Sequence, residues 1–347
     1  MTALVHARCE QAWPEAGGVK VFTLRAGAEQ WGLQPPAPGG HIAIEYPDIR
    51  GIAQQRFYSV VRKSAPDLFE IAVKRTGNQG VSDSLHATLT EGAILPIRYA
   101  SGHITVAAIA HRQSVLMLAG GIGLTLPIAL IRELGKLDDA GQPVPNVHLY
   151  LCSTTIGDVP FLHELLALDL RSSWFKVRIF VTRDEISSRA PHFVQGRPTE
   201  QDLRGFGSPD AVVICGGHSF ASTLQQTVKR IHPAAEILVE SFTPPAAKAE
   251  PIVLDGKLAT GGRLLIPSLD RAISVNTHKS ILDQLEENQI SIKSQCRSGI
   301  CGSCRIKILA GGCRREIDFA LSDADRSSGY ALACCTYPAQ EELTISL

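Results

Sequence analysis

The stretch CRSGICGSC, residues 296–304, constrains the fold of this chain more than any other. Cys296, Cys301 and Cys304 stand in the spacing C-x4-C-x2-C, and Cys334 and Cys335 follow downstream in LACCTYP. Thiols in this pattern call for a shared centre. A short loop wraps three sulfurs around one side of a small metal cluster, and a distant strand must bring the fourth. Ser298, Gly299, Gly302 and Ser303 let the loop curl tightly and leave backbone N–H groups to point at sulfur, which tunes a cluster's potential. A structural zinc site is the alternative. Zinc sites usually pair two short knuckles, whereas here three ligands are local and one is remote, so a two-iron cluster is the better reading. The chain has nine cysteines and no apolar leader in MTALVHARCEQAWPE. A reducing, cytoplasmic setting is expected, where clustered thiols bind metal or do redox work rather than form disulfides.

The segment SILDQLEENQISIKSQCRSGICGSCRIKILAGG…LACCTYP resembles a plant-type ferredoxin domain, whose spacing for a [2Fe–2S] cluster is C-x4-C-x2-C…C. In that family the fourth ligand lies four residues before a proline. Pro338 then implies Cys334 rather than Cys335, so the metal set is Cys296, Cys301, Cys304 and Cys334, with Cys313 and Cys335 left as structural thiols. RLLIPSL and RAISVNT read as an opening hairpin, SILDQLEEN as a short helix with Ser280 as N-cap, and ELTISL as a closing strand. An α+β, β-grasp ferredoxin domain is therefore placed at 251–347, after a linker at 244–250. Residues 251–347 hold 11 Lys+Arg and 11 Asp+Glu. A freely diffusing ferredoxin is expected to steer by charge, so this neutral one fits a tethered arrangement.

Upstream, QQRFYSVV (54–61) reads as a strand with Arg56 and Tyr58 on one face. FEIAVKR is a second strand, and TGNQGVSDSLH is a glycine turn leading into a helix whose free N–H groups make an anion site. Singly, each is ordinary; Arg and Tyr on a strand are usually sheet decoration. In this order they resemble the antiparallel flavin-binding β-barrel of the ferredoxin–NADP reductase superfamily, placed at 1–108. The resemblance implies that Arg56 and the turn Gly80, Val81 and Ser82 hold flavin phosphate. It places Phe57, Tyr58 and Ser59 along the isoalloxazine, with Ser59 near N5 as a catalytic residue, and Ala72, Val73 and Lys74 along the ribityl chain.

SVLMLAGGIGLTLPIALI (114–131) lies in the longest uncharged run. By length it is a marginal membrane span, but Gly120, Gly121, Gly123 and Pro127 argue for a buried strand, a glycine loop and a helix start. VHLYLCS, PFLHELLALDL, FKVRIFVT, AVVICGG, SFASTLQQTVKRI and EILVESF continue the alternation of strand and helix, which means an α/β parallel sheet with right-handed crossovers. The loop is not the G-x-G-x-x-G fingerprint. It does resemble the superfamily's NAD(P) pyrophosphate loop, which implies Gly120, Gly121, Gly123 and Thr125 as binding residues in a domain at 109–243. CGG at 215–217 sits where the family has C-G-P beside the nicotinamide, giving Cys215 a catalytic role and Gly216 a binding one. ESF at 240–242 resembles the aromatic that shields the flavin, giving Phe242. Departures are Leu126 in the usual proline position, with Pro127 one later, and Gly217 in place of a proline. GNQGVS lacks the Arg of G-R-G-G-S, so FMN is taken from domain order, with FAD left open. Thr154 stands where the family often has Arg, and Arg183 either serves a 2′-phosphate or pairs with Asp184; NADH is taken, with NADPH left open.

The order flavin, nicotinamide, ferredoxin resembles the phthalate dioxygenase reductase and vanillate demethylase reductase group over essentially the whole chain. That resemblance implies the reductase component of a Rieske-type oxygenase, passing electrons from NAD(P)H through flavin and a [2Fe–2S] cluster to a terminal oxygenase. The loop around Cys296–Cys304, with Arg297 and Arg305, is its expected docking face. One alternative is an FAD-dependent reductase of a di-iron monooxygenase or epoxidase. Another is a redox-sensing module, for which a complete relay is excessive. Lys+Arg and Asp+Glu are both 34, so bulk charge gives no sign of a nucleic-acid or anionic-membrane partner. A monomer is the default expectation.

Overall fold

The computed structural model describes residues 4–27, 37–100, 102, 104–187, 190–241, 262–294, 299, 302–316, 318 and 320–347. They belong to two compact bodies, 1–216 with 224–238, and 217–223 with 239–347.

The first body opens with a closed barrel in the order β1-β2-β5-β4-β3-β6. Its strands are β1 (Leu4–Glu15), β2 (Val19–Arg25), β3 (His41–Pro47), β4 (Ala53–Ala65), β5 (Leu68–Lys74) and β6 (Ile94–Ala100). Alternation makes the barrel: in β1, Val5, Ala7 and Cys9 are buried and the residues between them are not. Phe22, Leu24, Ile42, Ile44, Phe69 and Ile71 fill the interior. Helix α1 (Val81–Thr88) adds Val81 and Leu85 to the same core. Strand β4 is bulged twice against β5, between Val60 and Arg62 and between Lys63 and Ala65.

A short helix α2 (Val106–Ile109) leads into the parallel sheet, ordered β10-β9-β8-β7-β11-β12. Its elements are β7 (Ser114–Gly120), α3 (Thr125–Asp139), β8 (Asn146–Ser153), α4 (Leu162–Arg171), β9 (Phe175–Val181), β10 (Phe193–Gln195), α5 (Glu200–Gly205), β11 (Ala211–Gly216), α6 (His218–Ile231) and β12 (Glu236–Ser241). The run Val115–Ala119 is buried on both faces, as parallel strands between helices require. That explains the long uncharged stretch; among the described residues no helix is long and apolar enough to cross a membrane. The chain leaves β7 outward through β8, β9 and β10, then returns to pair β11 with the other side of β7. Such a reversal leaves a crevice beyond the carboxyl ends of the two strands, where α/β sheets bind ligands. Between β7 and α3 the expected loop is a turn of 3-10 helix, Gly121–Leu124. Pro127 falls in the first turn of α3, where its missing N–H costs no hydrogen bond.

The second body contains a five-stranded sheet, β14-β13-β17-β15-β16. Its elements are β13 (Arg263–Ile266), β14 (Arg271–Ser274), α7 (Ile281–Glu287), β15 (Arg305–Arg315), α8 (Asp323–Ser327), β16 (Tyr330–Leu332) and β17 (Thr336–Ser346). β13 and β14 form the expected hairpin. Ser280 caps α7, its side chain accepting from the Asp283 N–H, and Ile281, Leu282 and Leu285 are buried. The closing strand is longer than ELTISL: β17 begins at Thr336, directly after Cys335. It lies parallel to β13 and antiparallel to β15.

Candidate functional site

The chemistry in the second body gathers where β15 and β17 begin. Cys304 precedes β15, and Cys334 sits in a 3-10 turn, Ala333–Cys335, just before β17. The Ala333 N–H donates to the Cys304 carbonyl at 2.9 Å, tying the two segments together. Each sulfur-bearing residue is 3% exposed, and the two Sγ atoms are 3.3 Å apart. Two thiolates with 2.3 Å bonds to one tetrahedral metal stand about 3.8 Å apart, so the pair fits ligands of a single iron. Cys296 and Cys301 lie outside the described residues. Gly299 is in the left-handed region at φ +75, and a Cβ there would meet Cys335 Sγ at 2.7 Å. Gly302 also needs positive φ, +70. Gly299 and Gly302 are thus demanded by backbone conformation and, at Gly299, by the sulfur beneath it. Contact with Cys304 lowers the Cys334 thiol's pKa, but Cys335, 3.5 Å away, and burial push it well above the ordinary range. A metal that binds thiolate supplies the missing stabilisation. Arg305 is less available for docking than expected: it is ion-paired with Asp325 and stacked 3.9 Å from the Tyr330 ring centroid.

In the first body, β4 and the start of α1 meet. Tyr58 is 9% exposed, and its hydroxyl lies 3.1 Å from Ser82 Oγ. Burial pushes the Tyr58 phenol up to about 12 against the opposing Ser82 bond. Arg56 is exposed, its guanidinium on the Gln55 carbonyl at 2.8 Å and Gln54 Oε1 at 2.5 Å. Ser59 is buried, but strand alternation sends it to the face opposite Tyr58, so the structure does not bring those two to one face; half-buried Phe57 shares its parity. Gly80 is the N-cap of α1, and among the described residues no atom beyond its chain neighbours lies within 4 Å of a Cβ built there. That open space, with the first N–H groups of α1, fits a phosphate. Val73 and Val81 have their side chains in the barrel core, which leaves only their backbone for a ligand. The Val73 carbonyl already takes His86 Nε2 at 2.8 Å. Ala72 is buried and Lys74 half-buried on the other face of β5.

Sequence reasoning missed Asp83. Its carboxylate accepts from the N–H groups of Thr76 (2.7 Å), Gly77 (3.0 Å) and Gln79 (2.8 Å) and from Thr76 Oγ1 (3.2 Å). Burial raises its pKa, and these bonds outweigh burial and hold it below the usual carboxylate range. Asp83 therefore shapes the turn that ends at Gly80. An acidic residue in the first helical turn after glycines was the available signal.

At the crevice, Gly123 is fixed by close approach. A Cβ on it would lie 2.2 Å from the Cys215 carbonyl oxygen and 2.8 Å from Gly216 Cα. The ends of β7 and β11, far apart in sequence, therefore converge with Gly120, Gly121, Gly123, Cys215 and Gly216 in one place. Gly121 needs its φ of +54. Thr125 opens α3, buried, and Cys215 is fully buried. Asp184 is not Arg183's partner: its Oδ2 takes the Ile156 N–H at 2.7 Å, while the Arg183 N–H donates to the Thr154 carbonyl. Arg183 is exposed beyond β9. Phe242 lies outside the described residues.

Comparison with known proteins agrees with this architecture. Residues 266–339 match the family model of the 2Fe-2S iron-sulfur cluster binding domain. The chain is 27% identical to the glycine betaine monooxygenase reductase subunit of Chromohalobacter salexigens, covering 96% of this chain and 93% of that protein. It is 28% identical to the beta subunit of the phenoxybenzoate dioxygenase of Ectopseudomonas oleovorans, covering 96% and 94%. Among solved structures, phthalate dioxygenase reductase superposes with a TM-score of 0.60 at 19% identity, covering 99% of this chain and 98% of that one. Its barrel, parallel sheet and C-terminal sheet follow one another in the fold of that reductase, residues 266–339 match the 2Fe-2S cluster binding domain, and nearly the whole chain is similar to a monooxygenase reductase subunit.

Proposed function

We propose that this chain is the reductase component of a Rieske-type oxygenase system, carrying electrons from NADH through FMN and a [2Fe–2S] cluster to a terminal oxygenase. The observation that carries this reading is the buried Cys304–Cys334 pair, 3.3 Å apart, on a chain that also holds the flavin-type barrel and the nicotinamide-type sheet. The similarity to an oxygenase reductase subunit over 96% of the chain supports the client.

When bound, a flavin takes two electrons from NAD(P)H and releases them singly, which a one-electron cluster needs. The residues do the placing. Arg56 and the α1 N-terminus offer donors for a phosphate. Tyr58 shares a hydrogen bond with Ser82 and joins the strand to the turn. Ser59 is assigned to flavin N5, and Cys215 with Gly216 to the nicotinamide end of the crevice. Gly120, Gly121, Gly123 and Thr125 are assigned to the pyrophosphate. Cys296, Cys301, Cys304 and Cys334 hold the iron. The domains run 1–108, 109–243 and 251–347, with the linker at 244–250, and the protein acts as a monomer. Covalent linkage raises the cluster domain's effective concentration at the flavin to roughly millimolar.

Metal and flavin analysis of anaerobically purified protein tests this. Two irons and two sulfides with one FMN per chain are expected. FAD by mass would move the client toward the di-iron or epoxidase type. Zinc in place of iron and sulfide would remove the reading.

A further inference from the structure

Arg132 lies two turns into α3, the helix that begins at Thr125 directly after the glycine turn. Its side chain is 9% exposed. Nε and one terminal nitrogen each lie 2.7 Å from a different carboxylate oxygen of Glu164, near the start of α4. The other terminal nitrogen, Nη1, donates to the backbone carbonyl of Val61 on β4 at 3.1 Å. The guanidinium also covers the Phe161 ring, 4.8 Å from its centroid. Both edges and one face of the group are therefore engaged.

The carbonyl it takes is set out for it. Val60 pairs with Ile71 and Arg62 with Glu70, so Val61 is the extra residue of a β-bulge. A bulge interrupts the ladder and re-aims a backbone group, and bulges gather beside active sites. The second bulge follows between Lys63 and Ala65, and the Lys63 carbonyl is taken by Lys136 Nζ at 3.2 Å, one helical turn after Arg132. Two side chains spaced i, i+4 on α3 thus hold two carbonyls spaced i, i+2 on β4. Arg62 extends the contact to Glu70 at 3.3 Å and Glu164 at 3.6 Å. Arg132 and Arg62 face Glu164 and Glu70, and Lys136 is paired with Glu133 at 2.7 Å, so each of these cations has a carboxylate partner.

We propose that Arg132 is a positioning residue for reduction of the flavin by NADH, and this rests on the reductase reading above. The helix it stands on carries the dinucleotide turn. The carbonyl it holds lies two residues beyond Ser59 on the strand that carries Arg56–Ser59. One rigid fork thus sets the spacing and rotation of the nicotinamide side relative to the flavin side. Transfer needs reacting atoms about 3–3.5 Å apart and aligned, and a displacement of about 1 Å costs on the order of a hundredfold. A lysine does not replace a guanidinium held at both edges and stacked. The step so aligned moves two electrons and one proton, as hydride, from NADH to the flavin and leaves NAD+. Arg132 itself exchanges neither proton nor electron.

The test is anaerobic stopped-flow reduction of the Arg132→Met holoenzyme over a range of NADH concentrations. Flavin content, melting temperature and the long-wavelength absorbance of the nicotinamide–flavin complex are recorded alongside. The limiting rate of flavin reduction is expected to fall at least about tenfold, with a weaker long-wavelength band, flavin content unchanged and the apparent Kd for NADH within about twofold. Glu164→Gln is expected to move the rate and the band the same way by less, and it decides the matter if Arg132→Met does not fold. Parental rates and band in the variant that folds would overturn the proposal, as would a rate loss matched by lost flavin, which marks a merely structural role. If NADH fails to reduce the flavin of the parent protein, the reductase reading falls and this proposal with it.

Discussion

The two bodies build their sites from opposite materials. In the first, the chemistry lies at the ends of regular elements, and the residues that matter are held by contacts between segments far apart in sequence. Gly123 owes its identity to the backbone of Cys215, and Arg132 reaches Glu164 and Val61. In the second, Cys334 sits in a short turn, and the glycines before Cys304 are needed for local backbone conformation, φ +75 at Gly299 and +70 at Gly302. The difference teaches where each site is vulnerable. A segment whose glycines hold a left-handed backbone fails when one of them is lost. A crevice between two strands loses affinity for its ligand first and keeps its fold.

Gly299→Ala gives the sharpest break of this contrast. The new methyl would stand 2.7 Å from Cys335 Sγ on a left-handed backbone, and strain of this kind costs about 1–3 kcal/mol before the clash is counted. Loss of most of the iron and of the visible cluster absorbance is expected, with bound flavin per chain unchanged. An iron content equal to the parent's would show that the loop tolerates the side chain. Gly123→Ala comes next. Its Cβ would fall 2.2 Å from the Cys215 carbonyl oxygen, so the end of β7 or of β11 must shift. A rise of about tenfold or more in the Kd for NAD+, at full iron and flavin content, is expected in equilibrium titrations. Unchanged NAD+ affinity would place the dinucleotide elsewhere.

The smallest effect concerns the turn below α1. The folded-state pKa of Asp83 is depressed, because three N–H groups outweigh its burial. Its contribution is therefore fully present above the unfolded carboxyl value of about 3.9 and is lost as pH falls through the lower folded value. Flavin retention by the parent should decline on the acid side of about pH 4, and Asp83→Asn should be weaker at neutral pH with a smaller acid-side decline. Equal acid sensitivity in the two proteins would assign that loss to other carboxylates.

The same contrast decides which features are legible in one dimension. The C-x4-C-x2-C spacing singles out Cys304 in the sequence, whereas Cys334 is told from Cys335 only by the family resemblance, and the structure sets its sulfur 3.3 Å from that of Cys304. The Ser280 cap and the α7 burial pattern are readable for the same local reason. The alternation that closes the barrel and the uninterrupted apolar run of β7 follow from their periods alone. Gly123 reads only as part of a glycine loop, since the strand that forbids its side chain lies about ninety residues on. The Val61 bulge leaves no mark in QQRFYSVV, because an extra residue is defined by its partner strand. Arg132 and Asp83 look like ordinary helix-surface charges until β4 and the turn at 76–79 are placed beside them.

The central claim is that one chain joins NADH oxidation to reduction of its own cluster, and anaerobic absorbance with low-temperature electron paramagnetic resonance on NADH addition tests it most directly. Bleaching of both flavin and iron–sulfur bands, with the signal of a reduced [2Fe–2S] centre, is the predicted result. Flavin that bleaches while the assembled cluster stays oxidised and silent would contradict it.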